Sequence, residues 1–370
     1  MQPAQKVSRK EGDNMASFRQ MENDFATLER GTARLNGIRD AIRQADLAQD
    51  LRWMFIFRYD YIEESIFCGD RYYAMIMFPE LLQLFDEHPE LNENDRSSYD
   101  MLIVFRWMVE AVQEFPQVSR EEVDKYFRLY KQRLQECGYS LNNYYMKRCL
   151  IYMHIDRDIS ILSYDKFLEI PPDDMSDGKA LCTDFMVEFN LYLGNEEKAL
   201  ALAKPILEGK LRDKINLPHS TQNEFCQYYA KTKQFEKAIP YMTPLEKKVD
   251  GDLYHMHHVG TILSLYSRLN LENGIRLFNR NYSLYLGSKN PWLKFYFISG
   301  AVHLFDSMVK HGMGTDLVKV PESPILTAVA ENDTKKVAEI LRKECTELAQ
   351  RFDKRNGTTH FMDWLTMLDD

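Results

Sequence analysis

Apolar residues recur along this chain at steps of three and four in run after run, and the pattern predicts helices throughout. The first run, Phe18, Met21, Phe25, Leu28, Leu35, Ile38 and Ile42, follows one face of a long helix with a single gap at Thr32. A face of that kind has to be covered. It serves either as a cap laid on the helices that follow or as the seam of a homodimeric coiled coil. From residue 48 the predicted helices come in pairs: 48–67 with 71–87, 95–115 with 119–137, 140–154 with 157–169, 176–193 with 196–208, 219–232 with 234–248, and 253–269 with 271–286. Pro116 stops one of these helices, and Ser119 with Glu122 has the spacing of a capping box for the next. A long helix near 291–311, the loop from His311 to Pro324 and closing helices near 324–331 and 333–354 complete the pattern. The stretch Phe352–Leu365 reads as a tail with a turn at Asn356–Gly357, and its Phe361 and Trp364 either dock on the last helices or form a hook for a partner.

The pairs share a faint repeat. Its clearest copies are GDRYYAMIMFPELL from Gly69, GNEEKALALAKPIL from Gly194 and KQFEKAIPYMTPLE from Lys233, each a turn leading into a helix with Ala74, Ala199 or Ala238 at one fixed position. With Ile159 and Gly274 in the equivalent slots, the steps from 159 onward are 40, 39 and 36 residues. Length alone suggests two or three domains, but stacked units run on without a boundary, because each pair exposes an apolar face that only the next pair covers. The organisation predicted is a polar tail over 1–15, a capping helix over 16–47, helical repeats over 48–290 and a helical cap over 291–370. The turn cluster PPDDMSDG at 171–178 is the candidate joint, spanning 170–178.

A turn of the form G-D/N-x-x-x-A, with an aromatic or aliphatic residue four positions later, resembles the tetratricopeptide repeat. Gly69, Asp70, Ala74 and Phe78 fit one copy, Gly194, Asn195 and Ala199 a second, and Gln234, Phe235 and Ala238 a third; Pro171 stands twelve after Ile159. The tryptophan and Leu-Gly of that repeat's first helix are absent, and the period exceeds its 34 residues, so HEAT-like pairs with a period of about 40–47 stay open. The resemblance implies an all-α, right-handed superhelix of about seven pairs, with each first helix lining a concave groove that binds a peptide or partner protein. In architecture alone the chain is also similar to bacterial Rap-type peptide-responsive regulators. Asn142, Asn143, Lys147 and Arg148 supply part of the carboxylate-gripping set of co-chaperone repeats.

A net charge of −9 argues against general nucleic-acid or anionic-membrane binding. The six cysteines are widely spaced without a CxxC, as expected of free thiols in a reducing compartment, and no run of roughly 18 uncharged apolar residues occurs. A cytoplasmic protein without cofactor or metal is the expectation. Arg58, Arg106 and Arg148 fall on consecutive first helices among aromatics that include Tyr61, and shared presentation in a groove would hold an acidic peptide or a free C-terminus through guanidinium forks. The same arginines also suit local ion pairs across helix faces. Asn190, Asn223 and Tyr228 on later first helices are candidate partners for a peptide backbone. The run His255, His257 and His258 invites a metal-dependent enzyme as an alternative, although neighbours on a helix point in different directions. No GxxxxGK[ST], HExxH or GxSxG is present, and catalysis is not expected.

Overall fold

The computed structural model describes residues 16–92 and 95–369; the tail expected over 1–15 lies outside them. Among the described residues every regular element is a helix and none is a strand. In chain order they are α1 (16–26), α2 (Thr32–Ala48), α3 (Leu51–Phe67), α4 (Tyr72–Glu87), α5 (Pro89–Asn92), α6 (Asp95–Ala111), α7 (Arg120–Glu136), α8 (Asn142–Tyr152), α9 (Arg157–Glu169) and α10 (Lys179–Tyr192). There follow α11 (Glu196–Leu207), α12 (His219–Lys231), α13 (Phe235–Val249), α14 (Met256–Leu269), α15 (Leu271–Gly287), α16 (Pro291–Lys310), α17 (Leu326–Ala330), α18 (Thr334–Asn356) and α19 (His360–Thr366). The chain divides into two compact units, Met1–Ala111 and Val112–Asp370. The division falls between α6 and α7, inside the second predicted pair, and the Pro171–Pro172 turn lies within the second unit.

In the first unit the chain itself covers most of the amino-terminal stripe, leaving Leu28 exposed. Phe18 sits 5.7 Å from Trp53 and 5.9 Å from Phe57, and Phe25 sits 5.9 Å from Phe57, all ring to ring. Leu35, Ile38 and Ile42 are buried on α2, which packs on α3. The gap at Thr32 marks a real break, because α1 and α2 are separate helices. Between them the Gly31 N–H donates to Glu64 Oε1 at 2.7 Å, and Arg34 donates to the carbonyls of Ala26 (3.1 Å) and Leu28 (2.6 Å).

In the second unit α8, α10, α12, α14 and α16 contact one another in succession and form a continuous layer. Behind it α9, α11, α13 and α15 each pack on the helix they follow. The small-residue slot is where the two layers meet. Ala199 and Ala238 are fully buried, and a Cβ on Gly274 would stand 2.5 Å from Leu304. In α9 the slot belongs to Ser160, fully buried, and not to Ile159, which is half-buried. With that register the spacing becomes 39, 39 and 36 residues, more regular than the sequence alone suggested. Helix starts follow ordinary chemistry: Ser119 and Glu122 form the expected capping box, and Asn290 caps α16 with Pro291 in its first turn.

The Pro171–Pro172 turn is tied down. Ser140 donates from its N–H to Asp173 Oδ2 at 2.6 Å and from its hydroxyl to the Pro171 carbonyl at 2.7 Å. Lys147 and Asn143 both reach Asp177, at 2.8 and 3.1 Å, and Met175 is fully buried. Polar turn residues that looked like a linker act here as ties to the start of α8.

Helix α16 is the spine of this unit, touching α14, α15, α18, α19 and the 3₁₀ turn Val112–Glu114. Fourteen of its twenty residues are buried, which is what a helix apolar on every side requires. It lies against α14 backbone to backbone: a Cβ on Gly260 would stand 2.0 Å from the Tyr296 carbonyl oxygen, and one on Gly300 would stand 2.1 Å from that of Gly260. The unit is also closed on itself. Asn290 Nδ2 donates to Glu114 Oε2 at 2.5 Å, and Arg355 donates to the Gln113 carbonyl at 2.8 Å. The expected tail is a helix, α19, with Phe361 and Trp364 buried and the Trp364 indole donating to Ser299 Oγ at 3.1 Å.

Gly300→Ala should lower stability by about 3 kcal/mol or more, the upper end for overpacking, because backbone cannot step aside as a side chain can. Gly287→Ala, whose Cβ meets nothing within 4 Å, should change it by no more than about 1 kcal/mol. Urea unfolding of the two variants measures both; equal midpoints would remove the crossing from its structural role.

Candidate functional site

Helices α10 and α12 carry the same short pattern in the same register, with Asp184, Glu188 and Phe189 on one and Ser220, Glu224 and Phe225 on the other. Phe189 and Phe225 are 1% and 0% exposed, so the core holds both rings and turns both preceding glutamates to the same side of the layer. Asp184 is buried and accepts from the hydroxyls of Ser220, at 2.7 Å, and Thr221. Its carboxyl is raised to about 6, chiefly by burial.

Glu188 and Glu224 stand half-buried in a recess where α10 and α12 meet α16 and α19. Burial, and then repulsion from Glu224 and from Asp184, pushes the Glu188 carboxyl well above the usual range. Glu224 is raised to about 8 by burial and Asp184. The adjacent Asn223 amide favours the Glu224 carboxylate without reaching hydrogen-bond geometry on either of its atoms. Lys231, one further turn along α12, is exposed to water, yet burial lowers its ammonium pKa while Glu224 and Glu188 raise it. Solvent access together with dense surroundings describes a side chain standing in a cleft. Its Nζ lies 5.0 Å from the centre of the Trp364 ring. Tyr296 from α16 faces the two glutamates, whose charge adds to burial in raising its hydroxyl. His154, just beyond α8, and His360 of α19 close another side, ring centroids 4.3 Å apart. Burial holds His154 at about 3 and His360 well below the usual imidazole range, so both are neutral at pH 7. Two carboxyls of raised pKa beside one lysine, with aromatic walls, are chemistry for holding a cationic group.

The residues singled out from sequence occupy other positions. Arg58 grips Asp46 with both guanidinium nitrogens, at 2.9 and 3.0 Å, and also donates to the Met54 carbonyl. Tyr61 is buried and accepts from Arg39 at 3.0 Å. Arg106 is half-buried near Tyr59, whose hydroxyl is raised chiefly by burial, with Arg106 opposing the shift. These three belong to the first unit, and Arg148 to the second. Arg148 donates to Ser163 Oγ at 3.2 Å and lies 5.0 Å over the Tyr152 ring. Asn142 is buried and donates to the carbonyls of Phe167 (3.0 Å) and Ile170 (2.8 Å), capping the end of α9. Asn190 donates to the Met186 carbonyl at 2.7 Å and to the Tyr164 hydroxyl at 3.3 Å. Of the candidates, Asn223 adjoins the recess through Glu224, while Tyr228 is half-buried on α12 against the Tyr229 ring. Sequence reasoning passed over Glu188, Glu224 and Lys231. The signal available was the dipeptide Glu-Phe repeated 36 residues apart on consecutive first helices.

The histidine run gathers a fourth member. His219 of α12 lies 4.5 Å from His255 and 6.2 Å from His258 by ring centroids, and His255 stacks on His258 at 5.1 Å. Burial lowers His219 and His255 to about 4 and holds His258 well below the usual imidazole range, so these three rings pack as neutral imidazoles at pH 7. Among the described residues no group of three or more His, Cys, Asp or Glu side chains is arranged to hold a metal ion. No helix among them is long and apolar enough to cross a membrane. No protein-family model matches the chain, and no curated protein matches it.

The titrations oppose one another. A histidine lowered from 6.5 to about 4 contributes stability that is lost as pH falls through that window, whereas a glutamate raised from 4.5 to about 8 lowers stability as pH rises through its own. Above pH 6.5 only the carboxyl effect remains from these groups. Glu224→Gln should therefore stabilise the protein by about 1 kcal/mol more at pH 8 than at pH 6, a figure kept small because water reaches the side chain. Urea midpoints at the two pH values test this, and an unchanged difference would mean that Glu224 is ionised in the native state.

Proposed function

We propose that this chain is a non-catalytic, tetratricopeptide-like scaffold or regulator that binds a peptide or protein segment, and that the recess of its second unit is the binding site. One observation carries the reading: Glu188, Glu224 and Lys231 are reached by solvent while protein surrounds them, in the layer of first helices. The repeat supports the tetratricopeptide likeness, since Ala199 and Ala238 fill one small-residue slot between layers as such pairs require. The six unpaired cysteines suit a reducing, cytoplasmic setting.

The chemistry of the recess favours a segment bearing a lysine or arginine. Two carboxyls held above their normal pKa by burial and by neighbouring carboxylates gain most from a cation set between them, which favours the ionised form of both. Binding then releases protons, and affinity rises as pH approaches 8. Aromatic groups at Tyr296 and Trp364 offer flat surfaces for the aliphatic stem.

Panning a random peptide library over the full chain should enrich sequences with a basic residue. The Glu188→Gln, Glu224→Gln variant, which removes charge without removing volume, should lose about tenfold or more in affinity for them. Either an absence of enriched peptides or equal affinity for the double variant would overturn the proposal.

A further inference from the structure

A second cavity in the same unit, of about 470 Å³, is lined by Arg268, His303, Asp306, Ser307, Lys310, Arg342, Leu368 and Asp369. It shares no lining residue with the recess. Three cations reach it from three helices: Arg268 from the last turn of α14, Lys310 from the last turn of α16, and Arg342 from α18. His303 is fixed in the wall, with Nε2 bonded to the Leu365 carbonyl at 2.8 Å and Nδ1 2.9 Å from Ser264 Oγ. Its lowered pKa, about 4, leaves it neutral and the positive charge with the other three.

The segment following α19 forms one wall of this cavity and takes up two of its cations. Asp369 takes the Arg342 fork at 2.8 and 3.2 Å, with Asp306 holding the same guanidinium from the other side. The Leu368 carbonyl accepts from Arg268, and the Leu368 side chain is 5% exposed. The cavity thus reads three properties of a short peptide: a buried aliphatic side chain, its backbone carbonyl and the carboxylate of the next residue. The strap that supplies them is held by the buried Leu368 side chain and the Arg268 contact more than by charge. Its ion pairs to Arg342 are a third or more exposed on both partners, where water and salt screen them. Helix α19 does not depend on it, being anchored upstream by buried Phe361, Trp364 and Leu365.

We infer that this cavity is a binding site for an external peptide of the pattern aliphatic–acidic, and that Leu368–Asp369 is an internal mimic which must leave for that peptide to enter. A tethered mimic competes at high effective concentration, so the resting chain binds such a peptide weakly. Binding needs the guanidinium fork of Arg342 and the contact to Arg268 together, which gives it geometry as well as charge.

The test uses a fluorescent peptide of sequence Thr-Met-Leu-Asp-Asp and the full chain. Leu368→Ala with Asp369→Ala should bind it about tenfold or more tightly than the unsubstituted chain. Adding Arg342→Gln to that background should lose about tenfold or more, and Arg342→Lys should restore little of it, because an ammonium lacks the fork. Circular dichroism confirms that each variant keeps its helix content. No binding to the helical double variant at millimolar peptide, or binding indifferent to Arg342→Gln, would overturn the inference. So would equal affinity for a peptide with alanine in place of leucine, or equal displacement by inorganic phosphate, since either makes the cavity a plain anion site. The recess is assayed by Glu188→Gln with Glu224→Gln, so the two readings fail separately.

Discussion

The second unit depends on one close contact, the crossing of α14 and α16 at Gly260 and Gly300. There two helix backbones come so near that a Cβ on either glycine would stand about 2 Å from a carbonyl oxygen. Close approach lets α16 sink into the layer of first helices and present buried side chains on every side. Because α16 then reaches α18, α19 and the 3₁₀ turn that opens the unit, the array closes on itself and does not end in an exposed apolar face. In stacked helical pairs the terminal face is the usual liability. Here the carboxy-terminal helices cover it, and α19 supplies a wall of the recess in doing so.

That closure explains the electrostatics. Charged groups on an open groove would face bulk water and keep ordinary pKa values. Helices α16 and α19 bring Tyr296, His360 and Trp364 against the acids of α10 and α12, thinning the water around Glu188 and Glu224 without excluding it. The result is a pair of carboxyls raised above the usual range beside an exposed lysine. The histidine stack around His255 shows the other outcome of dense packing, where the imidazoles are simply held neutral.

Much of the architecture was legible in the residue order. Helix pairs, the capping box at Ser119, the long helix near 291 and the small slots at Ala199 and Ala238 follow from local periodicity and chemistry that each segment carries by itself. Three local readings needed the third dimension. Ile159 and Ser160 are equally plausible slot residues until a neighbouring layer selects the smaller one. The Pro171 turn has the composition of a joint, yet its aspartates find donors on α8 and on Ser140 just before it. The stretch after Gly357 reads as a tail because α19 is too short to show a period of its own.

The sequence by itself determined the helical class, the pairing and the apolar faces, because these depend on spacing within ten or twenty residues. Which polar side chains face a cleft was decided only by tertiary structure. Arg58, Asn142 and Asn190 carry the right chemistry for a ligand, but partners nearby in the fold take it up: Asp46, the end of α9, and the Tyr164 hydroxyl with the Met186 carbonyl. Glu188, Glu224 and Lys231 look like ordinary solvated charges on helix surfaces. They become a site because α16 and α19, more than sixty residues further along the chain, fold back over them. Ionisation depends on every group within several ångströms, and that set is a property of the fold and not of the local sequence.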